Sequence, residues 1–241
     1  MKKDLVSVVL PTFNERGNIC QLILSVIKNL EKEKINLEIV VVDDNSPDGT
    51  AREALKLAEK FPVKVIVRTG KKGLALSIKR GIEESSGKII AIMDTDLNHQ
   101  PQDLLRLLQA LKGTKADLAI GSRYIKGGGM SFGSIPKLKY LYSKIFNVFV
   151  KSFLAIPTNE SLSGFLAIRR DVLESLPVSE IFQGYGDYCI RLVFFTYKKG
   201  YKICEVPVVY GQRKWGESKT KLLKHSLAYL LTVLKLKFRG I

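Results

Sequence analysis

The stretch Ile89-Ile90-Ala91-Ile92-Met93-Asp94-Thr95-Asp96 runs five apolar residues straight into two carboxylates. Leu37-Glu38-Ile39-Val40-Val41-Val42 does much the same before Asp43-Asp44-Asn45. Both runs are short and rich in β-branched residues, as parallel strands buried on both faces are. Open α/β sheets bind ligands at the carboxyl ends of their strands. The acids therefore stand where a ligand would lie, in a chain whose formal net charge is +16. The economical use for them is a divalent metal bridging to a diphosphate, with hydrogen bonds to a nucleoside.

Working outward, strand and helix signals alternate. Residues 6–11 read as a strand and 18–30 as a helix with an apolar stripe at Ile19, Leu22, Ile23, Val26, Ile27 and Leu30. Ser46-Pro47-Asp48-Gly49-Thr50 is a turn, with Thr50 placed to cap a helix reaching residue 60. Strands follow at 63–67, 88–93 and 118–121, with helices at 73–84 and 102–111, the latter opened by Pro101. This rhythm predicts an α/β fold: a mostly parallel, doubly wound sheet with helices on both faces.

After Gly127-Gly128-Gly129 the texture changes. Residues 137–156 and 220–238 interleave lysines with leucines and aromatics. Between them lie a short strand at 165–169, a helix at 187–199 and a strand pair near 201–209. Residues 1–219 are expected to form the catalytic domain, and 220–241 a C-terminal amphipathic helix. The two lysine-edged helices are expected side by side at the mouth of the site, resting in a lipid interface.

Charge supports that division. Residues 1–110 hold 17 Lys+Arg against 15 Asp+Glu, whereas residues 111–241 hold 22 against 8. An anionic surface or phosphorylated substrate is therefore met by the second half. Nucleic acid is disfavoured, because the basic residues interleave with leucines and no nucleic-acid motif occurs. Cys20, Cys189 and Cys204 have no metal spacing and read as buried thiols of a reducing compartment. A strand signal begins within a few residues of the start, so no secretory leader is expected. No stretch is long and apolar enough to span a bilayer. The expected location is peripheral, on the cytoplasmic face of the cell membrane.

Two motifs carry chemistry. Residues two apart share one face of an extended segment, so Asp94 and Asp96 can hold one ion together. Two oxygen ligands suit Mg²⁺ or Mn²⁺, with phosphates completing the shell. Asn98 would lend a further oxygen; His99 reads as a loop residue. Asp96, at a strand end, is expected to be exposed and to matter little to packing. Pro11-Thr12-Phe13-Asn14-Glu15 would alone be a strand-to-helix loop, with Glu15 favourably near a helix N-terminus. Beside Asp43-Asp44-Asn45 it becomes a nucleotide pocket.

Residues 8–15, 41–50 and 93–99 together resemble the family 2 inverting glycosyltransferases, which have a GT-A fold. The extension Ser46-Pro47-Asp48-Gly49-Thr50 is similar to the dolichol-phosphate mannosyltransferase branch, as are Gly121-Ser122-Arg123-Tyr124 and Arg213-Lys214-Trp215-Gly216-Glu217-Ser218-Lys219. The resemblance implies that Pro11, Phe13, Glu15, Val42 and Asp44 contact the nucleotide. Asp94, Asp96 and Asn98 would hold the metal, with Asp94 also meeting the nucleotide-sugar. Arg123, Lys139 and Ser143 would meet an acceptor phosphate. Arg213 and Lys219 would close over the phosphates and act with Asp96 in catalysis. Gly73-Leu74-Ala75 would pack near the diphosphate. Three positions depart from the family pattern: Leu166 and Lys139 stand where the family has Arg, and Arg191 where it has Glu.

The implied reaction moves a hexose, foremost mannose from GDP-mannose, onto a polyprenyl phosphate at a membrane surface, with or without a membrane partner subunit. One alternative is another family 2 enzyme using a UDP-sugar or a sugar-hydroxyl acceptor. That enzyme would need a carboxylate base, for which Asp187 is the later candidate. The other is a non-catalytic membrane or nucleic-acid binder on a degenerate transferase fold.

Overall fold

The computed structural model describes residues 4–131, 137–211 and 222–239. The chain opens with β1 (Val6–Thr12), α1 (Arg16–Lys32), β2 (Leu37–Asp43), α2 (Thr50–Ala58), β3 (Val63–Val67), α3 (Leu74–Glu83), β4 (Ile89–Ile92), α4 (Pro101–Thr114) and β5 (Leu118–Ser122). It continues through β6 (Gly129–Met130), α5 (Lys137–Leu154), β7 (Leu166–Arg169), α6 (Arg170–Ser175), α7 (Val178–Ile181), α8 (Tyr188–Lys198), β8 (Ile203–Pro207), β9 (Val209–Tyr210) and α9 (Leu222–Phe238).

Seven strands form one sheet in the order β3-β2-β1-β4-β7-β5-β8. All neighbours are parallel except β7, which runs antiparallel to both β4 and β5. β1 lies between β2 and β4, with Val6 opposite Leu37 on one side and Ile89 on the other. The winding reverses there, so a crevice opens beyond the carboxyl ends of β1, β2 and β4.

Strand alternation sorts the core into two layers. Val8, Leu10 and Val41 pack with α1, α2 and α4 on one face. Val9, Ile90 and Ile92 pack with α3, α6 and α8 on the other. Gly81 lets α3 approach closely: a Cβ there would lie 2.4 Å from Val9 Cγ1 and 3.1 Å from Val42 Cγ2. Helix α9 contributes Val233 and Leu236 to the second layer and packs between α5 and α8.

Some sequence expectations shift. Thr50 does not cap α2; Gly49 holds that place with φ 86°, and Thr50 is the first helical residue. Its hydroxyl instead donates to Asp48 Oδ1 at 2.6 Å and accepts the Glu15 N–H at 2.9 Å. The strand pair near residue 205 is no hairpin. β8 pairs with β5 and β9 with β6, because the Val208 N–H goes to Ser122 O while its carbonyl accepts from Gly129 N. Helices α6 and α7 are too short for periodicity to reveal. Cys189 is buried, but Cys20 and Cys204 are only half-buried.

Candidate active site

The crevice holds a cavity of about 600 Å³. Its donor-side wall is built by hydrogen bonds between strand-end loops. Asp43 is wholly buried and consumed as a staple: it accepts Thr12 Oγ1 at 3.1 Å, Ser46 N at 2.7 Å and Ser46 Oγ at 2.6 Å. Asp44, next along, turns toward the cavity. It accepts Gly73 N at 2.7 Å and Ser77 Oγ at 2.7 Å, and pairs with Arg68. A carboxylate at the start of α3 meets the positive end of the helix dipole. Asp44 thereby fixes the Gly73-Leu74-Ala75 segment beside the site.

Pro11, Phe13 and Glu15 line the same wall, with Lys72 Nζ 4.0 Å from the centre of the Phe13 ring. Glu15 is buried and accepts Asn18 Nδ2 at 2.7 Å. Val42 does not line the cavity; its side chain lies under Gly81 within the sheet.

The floor is the loop after β4. Asp94 and Asp96 both line the cavity. Thr95 Oγ1 donates to Pro11 O at 3.3 Å, tying this loop to β1. The Asp94 side chain is 38% exposed, but Asp96 is 8% exposed, contrary to the expectation of an exposed strand-end carboxylate. The reason is local. Asn98 donates its backbone N–H to Asp96 Oδ1 at 3.1 Å and its amide to Oδ2 at 2.6 Å, folding the loop over the carboxylate. Asn98 itself braces Asp96 and does not line the cavity. Leu97, between them, takes φ 62°, a strained conformation for a leucine. Asn14 and Asn45 also have positive φ, at the ends of β1 and β2.

His99 supports this floor from below. It is buried, stacked on Phe165 at 4.8 Å and edge-on to Tyr210 at 4.7 Å. Its Nδ1 accepts the Asp94 N–H at 3.3 Å. Burial lowers its pKa to about 4 against the opposing pull of Asp96, so the ring is neutral near pH 7.

The far wall is basic and aromatic. Lys139, Tyr140, Tyr142, Ser143 and Phe146 reach it from α5, and His225, Ser226 and Tyr229 from α9. Arg123 lines the cavity, but its guanidinium is engaged. Nε and Nη2 donate to the two oxygens of Glu160 at 2.7 and 2.9 Å, and the group lies over the Tyr210 ring. Burial opposes the charge most strongly, but Glu160 together with the phenols of Tyr210 and Tyr124 outweighs it, and the Arg123 pKa rises. Glu160 is wholly buried and held in turn by Glu205, which accepts its backbone N–H at 3.1 Å. No sequence motif marks Glu160.

The departures from the family pattern take defined places. Leu166 is buried in the second core layer. Arg191 lies behind the cavity, bonded to Asp187 at 2.7 Å, Thr232 Oγ1 at 3.1 Å and the carbonyls of Ile181 and Gln183. Asp187 also accepts from Thr232 Oγ1 at 2.9 Å and Tyr185 N at 2.9 Å, and it does not line the cavity. Arg213 and Lys219 fall outside the described residues.

Asp94 and Asp96 are hard oxygen donors on one cavity wall, a set that fits Mg²⁺ or Mn²⁺. Among the described residues no cluster of three His, Cys, Asp or Glu side chains could hold a metal. An ion here would take its other ligands from diphosphate oxygens and water, as Mg²⁺ commonly does.

The sheet order and a strand-end cavity with carboxylates define a GT-A-like transferase fold. The chain belongs to glycosyl transferase family 2, whose family model matches residues 7–176. It is 40% identical over 220 residues to a dolichol-phosphate mannosyltransferase of Pyrococcus furiosus, covering 90% of this chain but 59% of that protein. The chain thus spans less than two thirds of that relative. A polyprenol monophosphomannose synthase of Mycolicibacterium smegmatis is 35% identical over 217 residues, 88% of this chain and 79% of that one. The fold is shared with glucosyl-3-phosphoglycerate synthase of Mycobacterium tuberculosis in complex with Mn²⁺, uridine diphosphate and phosphoglyceric acid. That likeness has TM-score 0.73 at 23% identity, covering 99% of this chain and 79% of that chain.

Proposed function

We propose that this chain transfers a hexose, foremost mannose from GDP-mannose, to the phosphate of a polyprenyl lipid, inverting the anomeric centre. One observation carries the reading. The cavity joins a carboxylate-bearing donor wall to a wall made by α5 and α9, whose outer faces are apolar and exposed. Leu138, Leu141, Ile145 and Val148 on α5 and Leu227, Leu230 and Leu231 on α9 form those faces. A lipid held there would present its phosphate to the cavity with its chain against leucines. The names of the two relatives point the same way.

The chemistry asks little of a base. A lipid phosphate is already anionic near neutral pH, so nothing need take a proton from the nucleophile. This fits the carboxylates present: among the described residues those lining the cavity are Glu15, Asp44, Asp94 and Asp96, all on the donor wall or floor. Asp187, which a hydroxyl acceptor would need as base, is turned away and paired with Arg191. A Mg²⁺ or Mn²⁺ held by Asp94 and Asp96 would supply positive charge to the departing diphosphate. Lys72 stands on the donor wall and Lys139 on the acceptor wall, each able to orient an anionic substrate. Arg213 and Lys219 are proposed to add charge over the phosphates. Asp44 and Glu15 would orient the nucleoside through their acceptor oxygens.

Among the described residues no helix is long and apolar enough to cross a membrane. We place the protein peripherally, with α5 and α9 in the interface, alone or beside a membrane partner. The test is a panel of GDP- and UDP-hexoses with polyprenyl phosphate in detergent, with and without Mn²⁺. Metal-dependent formation of a mannosyl lipid phosphate is expected. Transfer only from a UDP-sugar, or only to a sugar hydroxyl, would replace this reading with the other family 2 chemistry.

A further inference from the structure

Tyr188 is the first residue of α8 and is 0% exposed, yet it lines the cavity. Its ring stacks on Phe182 at 5.6 Å within the second core layer. Its hydroxyl has no hydrogen-bond partner among the described residues. The neighbouring Cys189 thiol donates to Ser163 O at 3.0 Å and does not meet the phenol in hydrogen-bond geometry. A buried hydroxyl left unpaired is costly, and packing alone would be served by phenylalanine. The expense needs a partner that arrives from outside.

Gly164 shows where it arrives. A Cβ there would lie 3.0 Å from Tyr188 Oη, 3.1 Å from Asp94 Oδ1 and 3.4 Å from Asp94 Oδ2. Gly164 thus stands against both the phenol and the carboxylate in the cavity wall, where any side chain would crowd them. A ligand group pressed into this part of the wall meets a neutral donor in Tyr188 and an anionic acceptor in Asp94. A phosphate oxygen facing Asp94 with no cation between them is repelled. A sugar hydroxyl suits both, accepting from the phenol and donating to the carboxylate. The position also fits, since Tyr188 and Gly164 line the same cavity as Phe13 and Asp44 of the nucleotide wall and Lys139 and Ser143 of the acceptor wall.

We propose that Tyr188 recognises the donor sugar, its hydroxyl donating to one hexose hydroxyl that in turn donates to Asp94. The inference rests on the hexosyltransferase reading above. Sites built to hydrogen-bond a substrate hydroxyl reject the analogue lacking it, because their own polar groups are then stranded.

The test compares wild type with Tyr188→Phe in the full chain, using GDP-mannose, its monodeoxy analogues and polyprenyl phosphate. If the donor panel selects another nucleotide-hexose, that donor and its deoxy series replace them. Tyr188→Phe should lower kcat/KM for the parent donor roughly tenfold. It should also weaken the wild type's discrimination against one particular monodeoxy donor, leaving only the part that the bond to Asp94 supplies. The Kd for the free nucleoside diphosphate should not change. Tm should hold or rise, since an unpaired buried hydroxyl is removed. A fall of several degrees in Tm would mean that the hydroxyl has a structural partner, and unchanged kcat/KM and deoxy discrimination would mean that it has no substrate one; either result overturns the proposal. Equal weakening of nucleoside diphosphate binding would move the contact to the nucleotide and overturn it too. Wild-type protein that transfers no hexose from any donor overturns the transferase reading and this assignment together.

Discussion

Arg123 and Glu160 form a two-pronged ion pair, 2.7 and 2.9 Å long, with both side chains nearly sealed from solvent. The sequence offers Arg123 as a cation for an acceptor phosphate. In the folded chain that charge is already half of a pair, shared by the loop after β5 and the segment before β7. Removing one partner of a buried pair strands the other, at a cost of about 3–5 kcal/mol. Glu160→Ala and Arg123→Ala should each lose stability on that scale in urea titrations. The double variant should lose clearly less than the sum. Additive losses would show that the pair contributes no coupling.

The brace on Asp96 gives a second expectation. Asp96→Ala would remove a buried acceptor and leave Asn98 without its partner, mixing folding with catalysis. Asp96→Asn keeps the shape and removes the charge, and its amide can still bond Asn98 if the Asn98 amide turns to present its oxygen. It should lower transfer by at least a hundredfold, about 2.7 kcal/mol in the barrier, while Tm changes little. Asp94→Ala, at a more exposed carboxylate, should do nearly the same. Full Mn²⁺-dependent activity in Asp96→Asn would remove the metal assignment. Asn98→Ala should reduce activity less, because it loosens the brace and leaves the carboxylate in place.

His99 sets a pH dependence of stability. Its folded pKa, about 4, lies below the ordinary value near 6.5, so the unfolded chain takes the proton first. Full stability is present above about pH 6.5 and is lost as pH falls toward about 4. The loss attributable to this group is on the order of 3 kcal/mol. Denaturant midpoints measured between pH 7 and pH 4.5 should fall steadily in the wild type. His99→Phe, which keeps a ring against Phe165 and Tyr210, should flatten that slope while losing the acceptor for Asp94 N–H. An unchanged slope would mean that other groups dominate acid sensitivity.

The parallel sheet was legible because β2 and β4 carry unbroken apolar runs that each end in acids, and mostly apolar runs at β1 and β3 alternate with helical stripes. β3 falls on residues 63–67 as expected, and helix ends differ by a few residues because capping followed backbone geometry more than side-chain signals. What stayed hidden depends on contacts between distant residues. Glu160 meets Arg123 across 37 positions, and nothing near either residue announces it. Asp43 and Asp44 are alike in sequence, yet strand alternation makes one an internal staple and sends the other toward the cavity. Asn14 and Asn45 at positive φ could be suspected from residue type, since asparagine tolerates that region; Leu97 gives no such hint. Tyr188 reads simply as the apolar start of a helix until Gly164 and Asp94 are placed beside it.

In α9 the inward residues are Tyr229, Thr232, Val233 and Leu236, and Leu234 is half-buried. The outward apolar residues are Leu227 at 62% exposed, Leu230 at 37% and Leu231 at 47%. Together with Leu138, Leu141, Ile145 and Val148 of the adjoining α5, they make an apolar surface beside the cavity. Replacing Leu227, Leu230 and Leu231 with Ser should therefore leave the core intact, with Tm nearly unchanged. Burying apolar side chains in a lipid interface is not screened by salt, whereas each interfacial lysine contributes about 1 kcal/mol against an anionic leaflet and is screened. Wild-type binding to anionic liposomes should weaken but persist in part as salt rises. The triple variant should bind weakly at low salt and not at all at high salt. Its activity should fall on long polyprenyl phosphates and hold on a short, water-soluble prenyl phosphate. If the wild type ignores liposomes, or the variant loses both acceptors equally, the leucines serve something other than the membrane.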